Sequence, residues 1–408
     1  MNGGTQMKQA KQRKQSRFLY WLVSLMTRAV AKCVFHRRVL RNELKGAKGP
    51  FVVIANHQTK LDFVNLLDLA GKPMRFVISD AFYSTSPVQW AMDRLGMIPK
   101  QQFQTSPLDM RRMKDVINNG EGLAIYPAGL MCEDGLSTPI PVATYRFLVW
   151  LRADVYVART TGTYFVRPKW AKRNRPGRTY MDVYKLFSAE ELATTPIEQI
   201  RAKADEALLF DAYREQEAHR IKYKHGDDLE GLEHVLYRCP HCKSEDGMRV
   251  QEKRHLICTH CGFRHSADAL GLLSNTGDTA ESFRYASDWS RMIYEEQKRR
   301  IETGSETELS CTASVSVLDR DQKKYLPLGQ ARITLTATHF LLEGDWQGEG
   351  ATMQVTTACF ASLPFVPGEF FEIQSGDSIY RCAPIDGTHT MKIIHMVKAY
   401  YELHTACV

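Results

Sequence analysis

The chain of 408 residues has no N-terminal apolar run long enough to cross a membrane. Its uncharged stretch there, residues 18–27, holds ten residues, about half of the ~20 that a spanning helix needs. Internal repeats and low-complexity segments are absent too, which excludes a solenoid and a disordered array. The ten cysteines do not form the pattern of a disulfide scaffold in a chain this long. Four stand as two tight pairs, while Cys33, Cys132, Cys311, Cys359, Cys382 and Cys407 are scattered. That usage fits a reducing cytosol with one metal site. Acid is scarce at one end: residues 1–48 carry twelve Lys/Arg and one acid, Glu43, a balance of +11. The remainder carries 42 basic and 45 acidic residues, a balance of −3. A near-neutral body with a basic arm points to an anionic surface.

The arm contains "RFLYWLVSLMTRAVAKCVF" at 17–35. As a helix it places Arg17, Ser24, Arg28 and Lys32 on one side. Phe18, Leu22, Leu25, Met26, Ala29 and Cys33 fall toward the other, with Trp21 at the boundary. Basic residues on a polar face and large apolar ones opposite suit a helix lying on a membrane surface. A helix docked on its own domain has the same pattern. A secretory signal ending at Ala29-x-Ala31 fits less well, since Arg28 interrupts the site.

From about 50 to 190, strand-like and helix-like segments alternate, as in "FVVIA" (51–55), "DFVNLLDLA" (62–70), "MRFVIS", "PLDMRRMKDVINNG" and "EGLAIYPAG". This predicts an α/β fold, a mostly parallel sheet with covering helices. Chemistry in such sheets gathers at the carboxyl ends of the strands. Asn56–Asp62 and Pro127–Gly135 both follow strands there. Charged helical sequence fills 188–222. The last hundred residues hold seven short alternating segments and a final helix, "HTMKIIHMVKAYYEL". That count and order resemble a pleckstrin-homology or GRAM-like barrel. The expected division is a membrane-associating arm at 1–45, a catalytic domain at 46–225, a zinc ribbon at 226–275, a helical linker at 276–302 and a β-rich domain at 303–408.

Cys239-x2-Cys242 and Cys258-x2-Cys261 stand fifteen residues apart. Two such knuckles present four thiolates to one tetrahedral zinc, and four thiolates leave no open position. The zinc expected here is structural, with His241, His255, His260 and His265 as bystanders. The intervening loop mixes Lys243, Arg249, Lys253 and Arg254 with Glu245, Asp246 and Glu252, so it does not point to nucleic acid.

"HQTKLDF" (57–63) has a structural reading, in which Thr59 caps a helix and Asp62 completes a capping box. It also has a chemical one, in which the Asp62 carboxylate orients His57 as a general base. Downstream segments favour the second. Asn56-His57-x4-Asp62 resembles the first motif of the glycerolipid acyltransferase family, and the whole chain is similar to a bacterial member with a zinc ribbon appended. Gly96-Met97-Ile98-Pro99-Lys100 resembles the second motif, with Lys100 at the position that contacts the acceptor phosphate. Ile125-Tyr126-Pro127-Ala128-Gly129 resembles the third. Ile140–Ala143 resembles the fourth, with Val155–Val157 as the competing placement. The resemblance covers about 46–190. It implies His57 and Asp62 as catalytic, and Asn56, Lys100, Pro127 and Gly129 as substrate-binding. It implies an acyl-CoA or acyl carrier protein donor and a lysophosphatidate or glycerol-3-phosphate acceptor, with no catalytic cofactor. Location is expected to be cytoplasmic, peripheral to the membrane. Ala128 departs from the family pattern, which has glutamate there; Glu133 and Asp134 follow in the same loop as substitutes. That departure also motivates a rival reading, a non-catalytic lipid-binding adaptor on this fold. Finally, "VRPKWAKRNRPGR" (166–178) gathers six basic residues around Trp170, either a solvated loop or a docking surface for acidic acyl carrier protein or anionic lipid with Trp170 as interfacial anchor.

Overall fold

The computed structural model describes residues 14–102, 106–346, 349–357 and 360–406. Residues 1–13 of the basic arm, Cys359 and Cys407 lie outside them.

The first part of the chain builds one seven-stranded sheet. Its strands are β1 (Arg38–Asn42), β2 (Phe51–Ala55), β3 (Met74–Ser79), β4 (Ile98–Lys100), β5 (Gly122–Ile125), β6 (Asp154–Thr161) and β7 (Tyr180–Phe187). They run in the order β1-β7-β6-β2-β5-β3-β4. All neighbours are parallel except β6 and β7. The helices are α1 (Arg17–Cys33), α2 (Asp62–Leu66), α3 (Asp80–Thr85), α4 (Gln89–Arg94), α5 (Pro107–Asn118), α6 (Val142–Leu151), α7 (Thr163–Val166), α8 (Ala189–Thr194), α9 (Ile197–Leu208) and α10 (Ala212–His219). β2 is buried along its whole length, as its unbroken apolar run requires of a central parallel strand. One face of the sheet packs Val52, Ile54 and Val157 against α5, α6 and α9. The other packs Phe51, Val53 and Ala55 against Tyr20 of α1 and Leu66 and Leu67 around α2. β1 joins this sheet through β7, so the end of the expected arm belongs to the sheet.

α1 docks by a face that its apolar pattern does not mark. Tyr20, Thr27 and Ala31 are buried, and Arg28 pairs with Asp68 at 3.2 Å. Phe18, Trp21, Leu22, Leu25, Met26 and Val30 face outward, Phe18 being 73% and Trp21 61% exposed. The helix is therefore amphipathic with its apolar side uncovered. No helix among the described residues is long and apolar enough to cross a membrane.

A four-stranded antiparallel sheet follows, ordered β11-β10-β9-β8. It comprises β8 (Met248–Gln251), β9 (His255–Cys258), β10 (Arg264–Ala267) and β11 (Leu273–Asn275). Helix α11 (Ala286–Glu302) is more than a linker, since it buries Trp289 and Ile293 completely. The C-terminal part is antiparallel throughout: β12 (Glu308–Asp319), β13 (Lys324–Thr336), β14 (His339–Trp346), β15 (Glu349–Thr356), β16 (Phe365–Val366), β17 (Phe370–Ser375) and β18 (Ser378–Pro384), closed by α12 (Thr388–Ala406). The order β15-β14-β13-β12-β18-β17-β16 joins two meanders through β12 and β18. One core runs through all three parts. It includes Cys132, Tyr164 and Trp170, then Tyr237, Leu256 and Phe263, then Phe340, Phe371, Met391, Ile394 and Val397.

Candidate active site and metal centre

The chain leaves the carboxyl end of β2 at Asn56. The Asn56 amide is fully engaged: its Nδ2 donates to the Thr160 carbonyl at 2.8 Å and its Oδ1 accepts from Thr160 N at 2.8 Å. This stitches the ends of β2 and β6 together. Gln58, wholly buried, extends the stitch: Nε2 donates to Thr160 O at 3.0 Å, and Oε1 accepts from Thr163 Oγ1 and Tyr164 N, each at 2.8 Å. Between these two anchored residues His57 turns outward.

His57 Nδ1 lies 2.9 Å from Asp62 Oδ2. The same oxygen accepts the backbone N–H groups of Gln58 at 2.7 Å and Thr59 at 2.9 Å. Asp62 is 1% exposed and the His57 side chain 20% exposed, so only the imidazole meets solvent. An ionised carboxylate accepts only. Nδ1 therefore carries the hydrogen, and in the neutral ring Nε2 presents a lone pair. The His57 ring stacks on Tyr126, with centroids 4.4 Å apart and planes inclined by 27°.

The capping reading of this corner needs correction. α2 begins at Asp62 after Leu61, with no side-chain cap, and Thr59 Oγ1 has no partner among the described residues. Only the reverse half of the box exists, from the Asp62 carboxylate back to Thr59 N. The reason is that one oxygen of Asp62 serves the loop amides and the imidazole together.

The loop after β5 packs against this corner. Tyr126–Gly129 forms a tight turn in which Gly129 N donates to Tyr126 O at 3.0 Å. Gly129 has φ +72°, and a Cβ there would meet nothing within 4 Å. Glycine is needed for the backbone conformation rather than for space. Pro127 and Ala128 occupy the two central positions of the turn. Gly129 O accepts from Gln102 Nε2 at 2.6 Å, and Cys132 N donates to the His57 carbonyl at 3.1 Å. The Cys132 thiol is fully buried, and burial pushes it well above the ordinary thiol range. That makes it a bystander rather than a nucleophile.

Lys100 ends β4, half-buried, with Nζ donating to Gln101 O at 3.0 Å. Burial pulls its ammonium below the ordinary lysine value, and Asp109 opposes the shift. Three strand spacings separate β4 from β2, about 14 Å. Lys100 thus shares the sheet edge with His57 without touching it. Ile140–Ala143 leads into α6 at the surface, Val142 being 48% exposed, whereas Val155 and Val157 are fully buried in β6.

Neither substitute for the missing glutamate is available. Glu133 is 6% exposed and its carboxylate accepts from Lys398 of α12. Asp134 accepts from Leu136 N at 3.0 Å, and burial, aided by Glu133, pushes it up to about 6. The carrier-protein docking surface is also corrected. Trp170 is 4% and Arg175 2% exposed, Arg175 stacks on Trp170 at 4.6 Å, and Arg173 pairs with Asp228 at 2.9 Å. The aromatic ring expected as an anchor is part of the core, because the indole N–H donates to Tyr164 OH at 2.9 Å.

In the second module, ligand atoms of Cys239, Cys242, Cys258 and Cys261 lie within 4.8 Å of one another. The closest pairs are 3.6 and 3.7 Å apart. A tetrahedral ion bound by sulfur at about 2.3 Å places sulfurs about 3.8 Å apart, so the cluster could hold a metal ion. The four nearby histidines have other partners: Glu281, Ser266, Asp246 and the N–H of Phe283.

Sequence reasoning missed Gln58, Thr160, Thr163 and Tyr126. Gln58 lies inside the first motif. Tyr126 stands in the segment read as the third motif, and its aromatic ring was the only signal of its contact with His57.

No curated protein matches the chain. Among solved structures, the chain is similar to the 1-acyl-sn-glycerophosphate acyltransferase PlsC from Thermotoga maritima, at 18% identity and TM-score 0.40, over 46% of this chain and 76% of that one. It is also similar to the Ran-binding domain of Nup2 from Ashbya gossypii, at 14% identity and TM-score 0.19, over 25% of this chain and 100% of that one. The acyltransferase family model matches residues 21–166, the segment that carries β2, His57, Asp62 and the Tyr126 turn. That match marks residues 21–166 as an acyltransferase-family domain within the chain.

Proposed function

We propose that this domain moves a fatty acyl group from acyl-CoA or acyl carrier protein to a hydroxyl of lysophosphatidate or glycerol-3-phosphate. The observation that carries the reading is the His57 Nδ1–Asp62 contact of 2.9 Å, with Nε2 on the solvent side and the carboxylate held by two backbone N–H groups.

Nε2 of His57 removes the acceptor's hydroxyl proton as the oxygen attacks the thioester carbonyl carbon. Asp62 offsets the charge that develops on the imidazole. The tetrahedral intermediate collapses, the C–S bond breaks, and the imidazolium returns the proton to the departing sulfur. Tyr126 and the Asn56–Thr160 stitch keep the imidazole in one orientation. Asn56 acts here by shaping the corner, its amide being taken up by Thr160. Lys100 offers a point charge for the acceptor phosphate, and Pro127 and Gly129 bound the site through their turn. The four cysteines hold a structural zinc. The outward apolar face of α1, at the end of a basic arm, rests on an anionic cytoplasmic membrane surface.

Thioester release across lysophospholipid acceptors, with His57→Ala as control, tests the chemistry. Turnover retained by folded His57→Ala removes the general-base role. The adaptor reading rests on Ala128 and gains if the wild-type chain binds lysophospholipid without turning over any thioester. Liposome binding with Trp21→Glu and Met26→Glu tests α1; binding equal to wild type removes the membrane role.

A further inference from the structure

The loop between the third motif and Gly135 is held from outside the catalytic domain. Glu133 reaches Lys398, 265 residues away on α12. The Glu133 carbonyl accepts from Tyr164 OH at 3.3 Å, and Tyr164 N donates to Gln58 Oε1 at 2.8 Å. Cys132, next in the chain, donates its N–H to the His57 carbonyl at 3.1 Å. A closed hydrogen-bonded ring therefore runs from the His57 corner through Tyr164 to Glu133 and back through Cys132. α12 reaches the ring through the Lys398 ammonium. Burial alone would push the Glu133 carboxyl up, but Lys398, with Lys169, holds it low, at about 2. His395, one turn earlier on α12, is kept neutral by burial and by Lys398.

The other end of α12 is also tied. Lys392 donates to Glu245 and Glu306, both at 2.6 Å. Glu245 lies between Cys242 and Cys258, and it accepts as well from Arg238 and Arg300 at 2.6 Å. Lys392 and Lys398 are six residues apart, about 9 Å of helix. α12 is thus a strut between the four-cysteine module and the catalytic loop. It supplies an anchor to a third motif that lacks its usual glutamate.

We propose that Lys398 is a positioning residue for acyl transfer, clamping the Pro127–Glu133 loop against His57 so that the C-terminal domain completes the acceptor side of the site. This rests on the acyltransferase reading above. Two readouts on the full chain test it: the Michaelis constants for acceptor and donor, and peptide-resolved alkylation of Cys132 by N-ethylmaleimide. Lys398→Met should raise the acceptor constant and the Cys132 alkylation rate by about tenfold each, with the donor constant within about twofold. Lys398→Arg, which keeps the charge, should restore most of both. Wild-type alkylation and a wild-type acceptor constant in folded Lys398→Met overturn the clamp. If Lys398→Met does not fold, Glu133→Gln carries the same expectations and the same overturning result. If the wild-type chain acylates no acceptor, the functional reading falls by itself. Alkylation then decides the clamp: a faster reaction supports it and an unchanged rate overturns it.

Discussion

Two charged clusters flank the loop after β5, and they are made in opposite ways. His57 and Asp62 are five residues apart, and the imidazole is one-fifth exposed. Glu133 and Lys398 are 265 residues apart; the carboxylate is buried between domains, and the lysine side chain is 21% exposed. A pair that exchanges protons with a substrate needs an opening. A pair that holds a loop gains from closure, because low dielectric strengthens each interaction, and losing one partner then costs about 3–5 kcal/mol. Both pairs set a carboxylate against a basic nitrogen; an imidazole in place of an ammonium, and five residues of separation in place of 265, distinguish chemistry from support.

The comparison breaks most visibly at the open pair. His57→Ala should lower thioester turnover by about a thousandfold, while thermal unfolding stays close to wild type, since a partly exposed ring contributes little to packing. On the supporting side the largest effect should come from the metal module. Cys258→Ser removes one of the four thiolates, and it should release the metal ion proposed for them and cost about 3 kcal/mol or more of stability. Protection from hydrogen exchange should fall in the module and in α12, because Glu245 holds Lys392. Metal content together with exchange of the α12 peptides checks this.

Asp62→Asn sharpens the contrast within the open pair. One oxygen already serves the Gln58 and Thr59 N–H groups and His57, and an amide oxygen can replace it there, but the amide carries no negative charge. The imidazolium that forms during proton transfer then loses its counter-charge, and turnover should fall by about a hundredfold with the acceptor constant little changed.

The smallest effect belongs to Lys169, at the rim of the buried cluster. Its buried ammonium has no hydrogen-bond partner among the described residues and sits 3.3 Å from the Phe365 ring centroid. Burial lowers it from 10.5 to about 8, partly offset by Glu133. Below pH 8 the amine is charged in folded and unfolded chains alike, and the folded one bears the desolvation cost. Between about 8 and 10.5 the folded chain has released a proton that the unfolded chain retains, so wild-type stability rises with pH relative to Lys169→Met. The difference should move by about 2.5 kcal/mol between pH 7 and pH 10, read by denaturant unfolding at those two values. A flat difference shows that the Phe365 ring and Glu133 fully compensate the charge.

What was legible in the sequence follows from short range. β2 is an unbroken apolar run, so its burial and central place were readable from five residues. His57 and Asp62 meet across one turn, so their contact followed from spacing. The four cysteines assemble from two knuckles whose geometry is local. Seven strand segments and a closing helix were countable because turns punctuate them. The face by which α1 docks was not legible: Tyr20, Thr27 and Ala31 are chosen by the groove beside α2, against the helix's own apolar pattern. Trp170 and Arg175 looked like surface in a basic stretch, yet Tyr164 and Asp228 draw them inward.

By itself, then, the sequence determined the His57–Asp62 contact, the four-cysteine cluster and the α/β and β-rich character of the two larger parts, because each rests on neighbours in the chain or on periodicity. Only the tertiary structure decided that Glu133 answers to Lys398, that Asn56 and Gln58 serve Thr160, and that three parts share one core. Those contacts join residues about a hundred or more positions apart. Their partners are selected by which surfaces the packed elements bring together, and no local pattern encodes that choice.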